Sequence, residues 1–294
     1  MRKFIVGTDW WTDCDDAVAL RILCRAHTAE QIQLLGIGVN ACMEHSIPAL
    51  DAFLQLEGIR NIPLGIDLNA TDYSGKPDYQ KRLAQAVPNV LSNEQAEDAV
   101  GLYRRLLAAA PEPVEILEIG YPNVLAALLA SQPDSVSPLS GQTLVTEKVS
   151  KIWSMAGRWD MDIGVENNFA RGPRSRQAGA YLCKHCPVPI TFLGFEIGRT
   201  VITGGPILPK DHLYQAMCDH GSADGRESWD PMLVLLTLIG DEKTAGYSTV
   251  TGTATVDSAT GANTFTVHPD GLHKYVIKDK PDSYYSQQIN DLIR

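Results

Sequence analysis

The chain reads as an α/β protein: a mostly parallel open sheet flanked by helices, with an antiparallel hairpin late in the sequence. Two observations predict this class. Short apolar runs alternate with stretches of helical periodicity, the pattern of βαβ units whose parallel strands are covered on both faces. Residues 247–278 then change character, becoming rich in Thr, Val, Ser and Gly with a period of two.

The elements follow in order. Residues 4–8 form a short buried-strand candidate, and residues 15–26 follow with Ala19, Leu20 and Leu23 at helical spacing. A second strand is expected at 32–39, a helix at 48–56 and an amphipathic helix at 96–110. Residues 114–119 read as a strand and 124–131 as a helix. Further strands are expected at 149–155 and 190–195. Residues 231–239 begin a helix with Pro231 at its first position, where a missing N–H is harmless. In the late stretch, residues 251–257 and 264–268 alternate, and 258–263 supply the turn between them. No repeat or long linker interrupts the pattern, so 1–294 is read as one domain with the hairpin at about 247–278 as an appendage.

Composition narrows the function. With 294 residues, 44% hydrophobic residues and a formal charge of −10, the chain suits a large core under an acidic surface. Phosphate backbones and anionic membranes need a basic patch, so neither is an expected partner. A small neutral substrate, or one handled with a cation, fits better. No apolar run approaches the roughly 20 residues of a membrane span. Met1 to Val6 contain no leader-like apolar core, so the chain reads as cytoplasmic, with a removed leader left open. Of six cysteines, Cys183 and Cys186 make one C-x-x-C without the second pair that zinc sites usually need; reduced thiols are expected.

The most informative segment is Gly7-Thr8-Asp9-Trp10-Trp11-Thr12-Asp13-Cys14-Asp15-Asp16-Ala17. It places four carboxylates within eight residues, where an apolar strand ends and a helix begins. Ligands of open parallel sheets bind outside the carboxyl ends of the strands. Helix capping and the helix dipole account for Asp13 and for Asp15 or Asp16, but they do not require Asp9. Clustered carboxylates repel one another unless a hard cation such as Ca2+ joins them. Spacing alone leaves both readings open.

Asp9 followed by Asp15-Asp16-Ala17 resembles the N-terminal signature of the nucleoside hydrolases, usually D-x-D-P-G-x-D-D-A. Three departures place the chain on a divergent branch: Gly7 stands for the first Asp, Trp10-Trp11 replace Pro-Gly, and the loop is two residues longer. Three further segments agree in order. Gly120-Tyr121-Pro122-Asn123 is similar to the family's G-x-L-T-N turn, Val165-Glu166-Asn167-Asn168 to A-E-F-N, and Trp229-Asp230-Pro231 to the H-D-x or W-D-x segment. Each alone is an ordinary turn, loop or helix start; their joint order carries the resemblance.

The resemblance implies calcium-dependent hydrolysis of a ribonucleoside's N-glycosidic bond. Asp9, Asp16, Asp230 and the main-chain carbonyl of Asn123 would hold Ca2+, with Asp9 also the general base. Asp15 would accept from the ribose 2-hydroxyl, and Glu166 and Asn168 would bind the 3- and 5-hydroxyl side. Trp229, an aromatic residue as in purine-specific members, would stack on the base and assist its departure. Trp10 and Trp11 either add stacking surface or pack the lengthened loop. Trp159, Asp160, Glu196 and Asn40 are further pocket candidates. Among histidines, none is adjacent in sequence to these acids, and His268 and His273 are read as surface residues. The family pattern also implies a homo-oligomer. Two alternatives stand beside a nucleosidase: hydrolysis of another ribosyl or glycosyl compound, and calcium-dependent sugar binding without catalysis.

Overall fold

The alternation of inward-facing residues along Arg2–Thr8 sets the layers: Phe4 and Val6 enter one apolar cluster and Ile5 the other. The computed structural model describes residues 1–11, 13–73 and 78–294. Its strands are β1 (Arg2–Thr8), β2 (Ile32–Val39), β3 (Leu64–Ile66), β4 (Glu97–Asp98), β5 (Val114–Glu118), β6 (Val149–Met155), β7 (Ile190–Leu193), β8 (Ile202–Thr203), β9 (Arg226–Glu227), β10 (Tyr247–Val256), β11 (Asn263–Val267) and β12 (His273–Lys278). Ten of these form one sheet in the order β11-β10-β12-β7-β6-β5-β1-β2-β3-β4, and β8 pairs with β9 in a small antiparallel sheet.

From β12 through β7, β6, β5, β1, β2 and β3 to β4 every pairing is parallel. Chain order runs outward from β1 in both directions: β2 and β3 lie on one side, β5 and β6 on the other. The crevice between β1 and β5 is therefore the topological switch point, where such sheets bind ligands.

The helices are α1 (Asp15–Thr28), α2 (Ser46–Leu56), α3 (Asp78–Ala84), α4 (Ala99–Ala109), α5 (Asn123–Ala130), α6 (Gly141–Lys148), α7 (Asn167–Ala170), α8 (Pro173–His185), α9 (Phe195–Gly198), α10 (His212–His220), α11 (Trp229–Ile239) and α12 (Asp282–Ile293). α11 packs on α1 and β6, which brings late sequence against the first helix. α12 lies against α1 and α11, with Ile289 and Ile293 fully buried.

Three expectations change. The hairpin of β10 and β11 is no appendage, because β10 also pairs with β12, and β12 continues the parallel sheet beside β7. Period-two alternation identifies strands but carries no information on which edge they join. α11 starts at Trp229, so Pro231 is its third residue and Asp230 lies inside its first turn. The strand expected at 190–195 stops at Leu193, and Phe195 opens α9 instead.

Candidate active site

The acidic loop after β1 is shaped by its own hydrogen bonds. Thr8 Oγ1 donates to Asp16 Oδ1. The backbone N–H of Trp10 donates to Thr8 Oγ1 at 3.0 Å and to Asp16 Oδ1 at 3.3 Å. The N–H of Trp11 donates to Asp9 Oδ1 at 3.3 Å. Asp15 and Asp16 form the first turn of α1, and Asp15 also serves the other end of the chain. Its Oδ2 accepts from the backbone N–H of Trp229 at 3.0 Å and of Asp230 at 3.1 Å. Those amides open α11 and have no partner within their own helix, so Asp15 satisfies them from outside.

As a result, the carboxylate oxygens of Asp15, Asp16 and Asp230 lie within 4.8 Å of one another, with all three residues buried. Burial pushes each of these carboxyls well above its ordinary pKa. The next cause is Asp13 for Asp15, Asp9 for Asp16, and Asp15 for Asp230. Among the described residues no Lys or Arg ion pair reaches these three groups. Oxygen-only donors with excess negative charge suit a hard divalent cation. A second grouping, Asp13, Cys14 and His220, is equally close but does not suit a metal. Arg226 already holds Asp13, with Nε at 2.8 and 3.0 Å and an Nη at 2.5 Å, and its charge would repel a cation.

These acids line a cavity of about 200 Å³ together with Asp13, Ile119, Met155, Glu166, Asn167, Asn168, Phe195 and Trp229. Asp9 lines it as well. In the same cavity, Glu166 Oε2 accepts from the Gly157 N–H at 2.9 Å and its Oε1 from the Asn168 N–H at 2.7 Å. Burial outweighs these bonds and raises the Glu166 carboxyl to about 7. Asn168 Nδ2 donates to the Met155 carbonyl at 2.8 Å. Trp229 is held as a wall: its Nε1 donates to the Phe195 carbonyl at 2.8 Å, and the two rings stack at 5.6 Å and 21°.

The structure thus gathers Asp9, Asp15, Asp16, Glu166, Asn168, Trp229 and Asp230 around one cavity. The other sequence candidates lie elsewhere. Trp10 has a left-handed φ of 47°, which turns its fully buried ring into the core against Phe53 and Tyr79. Trp11 packs on Tyr73 beneath Arg171. Trp159, Asp160 and Glu196 line a different, larger cavity beside β12, of about 1030 Å³. Asn40 is fully buried, with its side chain bonded to Glu118 and Tyr121. Asn123 lies outside the cavity lining, its Nδ2 donating to the Asn40 carbonyl and to Asp67. Thr12 lies outside the described residues.

Sequence reasoning missed Phe195, Asn167 and Asp13 as cavity walls. It also placed no histidine near the acids, yet His220 Nε2 stands 3.9 Å from Asp13 Oδ1. His273 is buried, not on the surface. All six cysteines are free thiols. Among the described residues no helix is long and apolar enough to cross a membrane.

No protein-family model matches the chain, and no curated protein is significantly similar to it. Solved structures do match along its whole length. The inosine-uridine preferring nucleoside hydrolase from Bacillus anthracis superposes with a TM-score of 0.69 at 16% identity, covering 100% of both chains. The plant nucleoside hydrolase PpNRh1 gives 0.70 at 15% identity, over 99% of this chain and 97% of its own. The type III effector XopQ, solved with adenosine diphosphate ribose, gives 0.65 at 14% identity, over 99% and 93%. The chain therefore has the nucleoside hydrolase fold.

Proposed function

We propose that the chain is a Ca2+-dependent, purine-preferring ribonucleoside hydrolase of a divergent nucleoside hydrolase branch. The observation that carries this reading is the meeting of Asp15, Asp16 and Asp230, from opposite ends of the chain, in a cavity shared with Glu166, Asn168 and Trp229.

Cleavage of an N-glycosidic bond builds positive charge on the sugar and negative charge on the departing base. Asp16 and Asp230 would hold the cation, with Asp9, which lines the same cavity, as the further carboxylate expected from the resemblance; Asn123, the first residue of α5, lies outside the cavity lining. A Ca2+ held there would supply positive charge that makes a nearby water more acidic. Asp9 takes the proton of the water that attacks the sugar carbon. Asp15 keeps Oδ1 for the 2-hydroxyl, because its Oδ2 is committed to α11. Its negative charge also favours the developing sugar cation. Glu166 and Asn168 fix the other hydroxyls, and such positioning lowers the barrier by several kcal/mol. A purine stacked on Trp229 would leave more readily than one in water, since the electron-rich indole face favours its protonated, cationic form.

The test is release of free ribose from inosine, adenosine, guanosine, uridine and p-nitrophenyl riboside, with and without EDTA. Turnover of the purine ribosides, lost with EDTA and restored by Ca2+, is expected. Asp9→Ala is expected to lower kcat by about a hundredfold or more, the size of a lost general base. Release from no nucleoside overturns the reading. Cleavage of the activated riboside alone would favour a different ribosyl substrate, a possibility raised by the ADP-ribose in XopQ.

A further inference from the structure

We infer that Glu118 is a positioning residue for the acidic site, a buried strut that crosses β1 over Gly7 and fixes Asn40 and the turn into α5 against the backbone of Asp9. The inference uses the cation site of the proposed function but not the reaction.

Gly7 of β1 and Glu118 of β5 are register partners. A Cβ at Gly7 would lie 2.2 Å from Glu118 Oε2 and 2.5 Å from Oε1, so the Glu118 carboxyl occupies the space that a side chain at residue 7 would need. Only glycine permits this crossing. Beyond β1, Glu118 Oε1 accepts from Asn40 Nδ2 at 2.8 Å and from the Gly120 N–H at 3.1 Å. Asn40 passes the connection on. Its Oδ1 accepts from the Tyr121 N–H at 2.9 Å, its carbonyl from Asn123 Nδ2 at 3.1 Å, and its own N–H donates to the Thr8 carbonyl at 2.9 Å. One side chain thereby joins β5, the end of β2, the last residue of β1 and the turn into α5. The turn is pressed against the acidic loop: a Cβ at Gly120 would lie 2.2 Å from the Asp9 nitrogen.

A fully buried carboxyl is expensive unless it is bonded or neutral, and Glu118 Oε2 has no hydrogen-bond partner. Burial raises this carboxyl to about 8, so it keeps its proton at neutral pH, and an amide of the same shape can stand in for it. The nucleoside hydrolase pattern carries its first Asp where this chain has Gly7. Here the carboxyl arrives from the neighbouring strand instead.

The experiment measures Ca2+ binding by calorimetry and melting temperature in EDTA for the full chain and for E118A, E118Q, G7A and G7A/E118A. E118A is expected to weaken Ca2+ binding by about tenfold or more, the range for groups that orient metal ligands. E118Q is expected to bind as the parent does. G7A is expected to melt lower than the parent, and G7A/E118A to melt above G7A, because the second change removes the clash. Should E118A fail to fold, N40A cuts the same strut at its other end and carries the same expectation. Unchanged Ca2+ affinity in the foldable variant, or a G7A protein that melts like the parent, overturns the inference. A parent that binds no Ca2+ defeats the proposed cation site, while the melting comparison in EDTA still decides the strut.

Discussion

In the proposed reaction Trp229 would divide binding from leaving-group chemistry. Its ring is fixed by Phe195, through both the Nε1 hydrogen bond and the stacked faces, with the Arg226 guanidinium 5.5 Å from the indole. A pre-ordered aromatic wall stabilises a stacked base without ordering itself first, worth about 0.5–1.5 kcal/mol beyond burial. Trp229→Ala is therefore expected to lower kcat on inosine or guanosine more than on p-nitrophenyl riboside, whose leaving group needs no protonation. Steady-state kinetics on the paired substrates check this, and equal slowing would remove the stacking role. The neighbouring pair Trp10-Trp11 shows the opposite outcome for the same residue type. Their place beside Asp9 left stacking surface and packing of the lengthened loop both open, and the left-handed backbone at Trp10 sends that ring into the core. Sequence carries no signal for a positive φ at a non-glycine residue. Glu118 did leave a trace, as the second charged residue of the run 114–119 read as a strand. Central parallel strands are covered on both faces, so an acid there must be bonded or protonated.

At the scale of elements, the βαβ pattern and the acidic strand-to-helix junction were legible because local periodicity and local spacing determine them. The placement of β12 was not, since its neighbours come from distant parts of the chain. The joint around it is sealed by His273, which is buried, accepts from the Ala254 N–H through Nδ1 at 2.9 Å, and meets the edge of Phe192. Burial lowers this imidazole from 6.5 to about 4. A histidine depressed in the folded state must be neutral there but takes up a proton when unfolded near pH 5. Its contribution is present above about 6.5 and is lost as pH falls toward 4. Between pH 7 and 5 the loss is about 2 kcal/mol. His273→Asn keeps an acceptor for the Ala254 amide without a group that titrates in this range. Its unfolding free energy, from denaturant titrations at both pH values, is expected to fall by less than the parent's over the same interval. Parallel falls would show that acid sensitivity arises elsewhere.

Across the whole molecule, the site joins the two ends of the chain, and its electrostatics set a condition on stability. Asp15 and Asp16 begin the first helix, and Asp230 begins a helix more than two hundred residues later. Packing α11 on α1 forces these carboxylates together away from water. Without a cation that arrangement opposes folding, because burial and mutual repulsion both disfavour the charged forms. A divalent ion bound there would reverse the sign. At a concentration of about one hundred times its Kd, a ligand specific for the folded state adds about 2.7 kcal/mol. For a chain of this size that corresponds to a rise of several degrees in Tm, roughly 5 °C. Asp230→Asn separates the two effects. It removes one charge from the crowded set, so in EDTA it is expected to melt above the parent. It also removes a ligand, so Ca2+ is expected to raise its Tm far less. Thermal melts of both proteins with EDTA and with Ca2+ therefore cross over if Asp230 shares a cation with Asp16. A parent whose Tm is indifferent to Ca2+, or an Asp230→Asn protein that gains as much as the parent, would mean that the acids are brought together for some purpose other than holding metal.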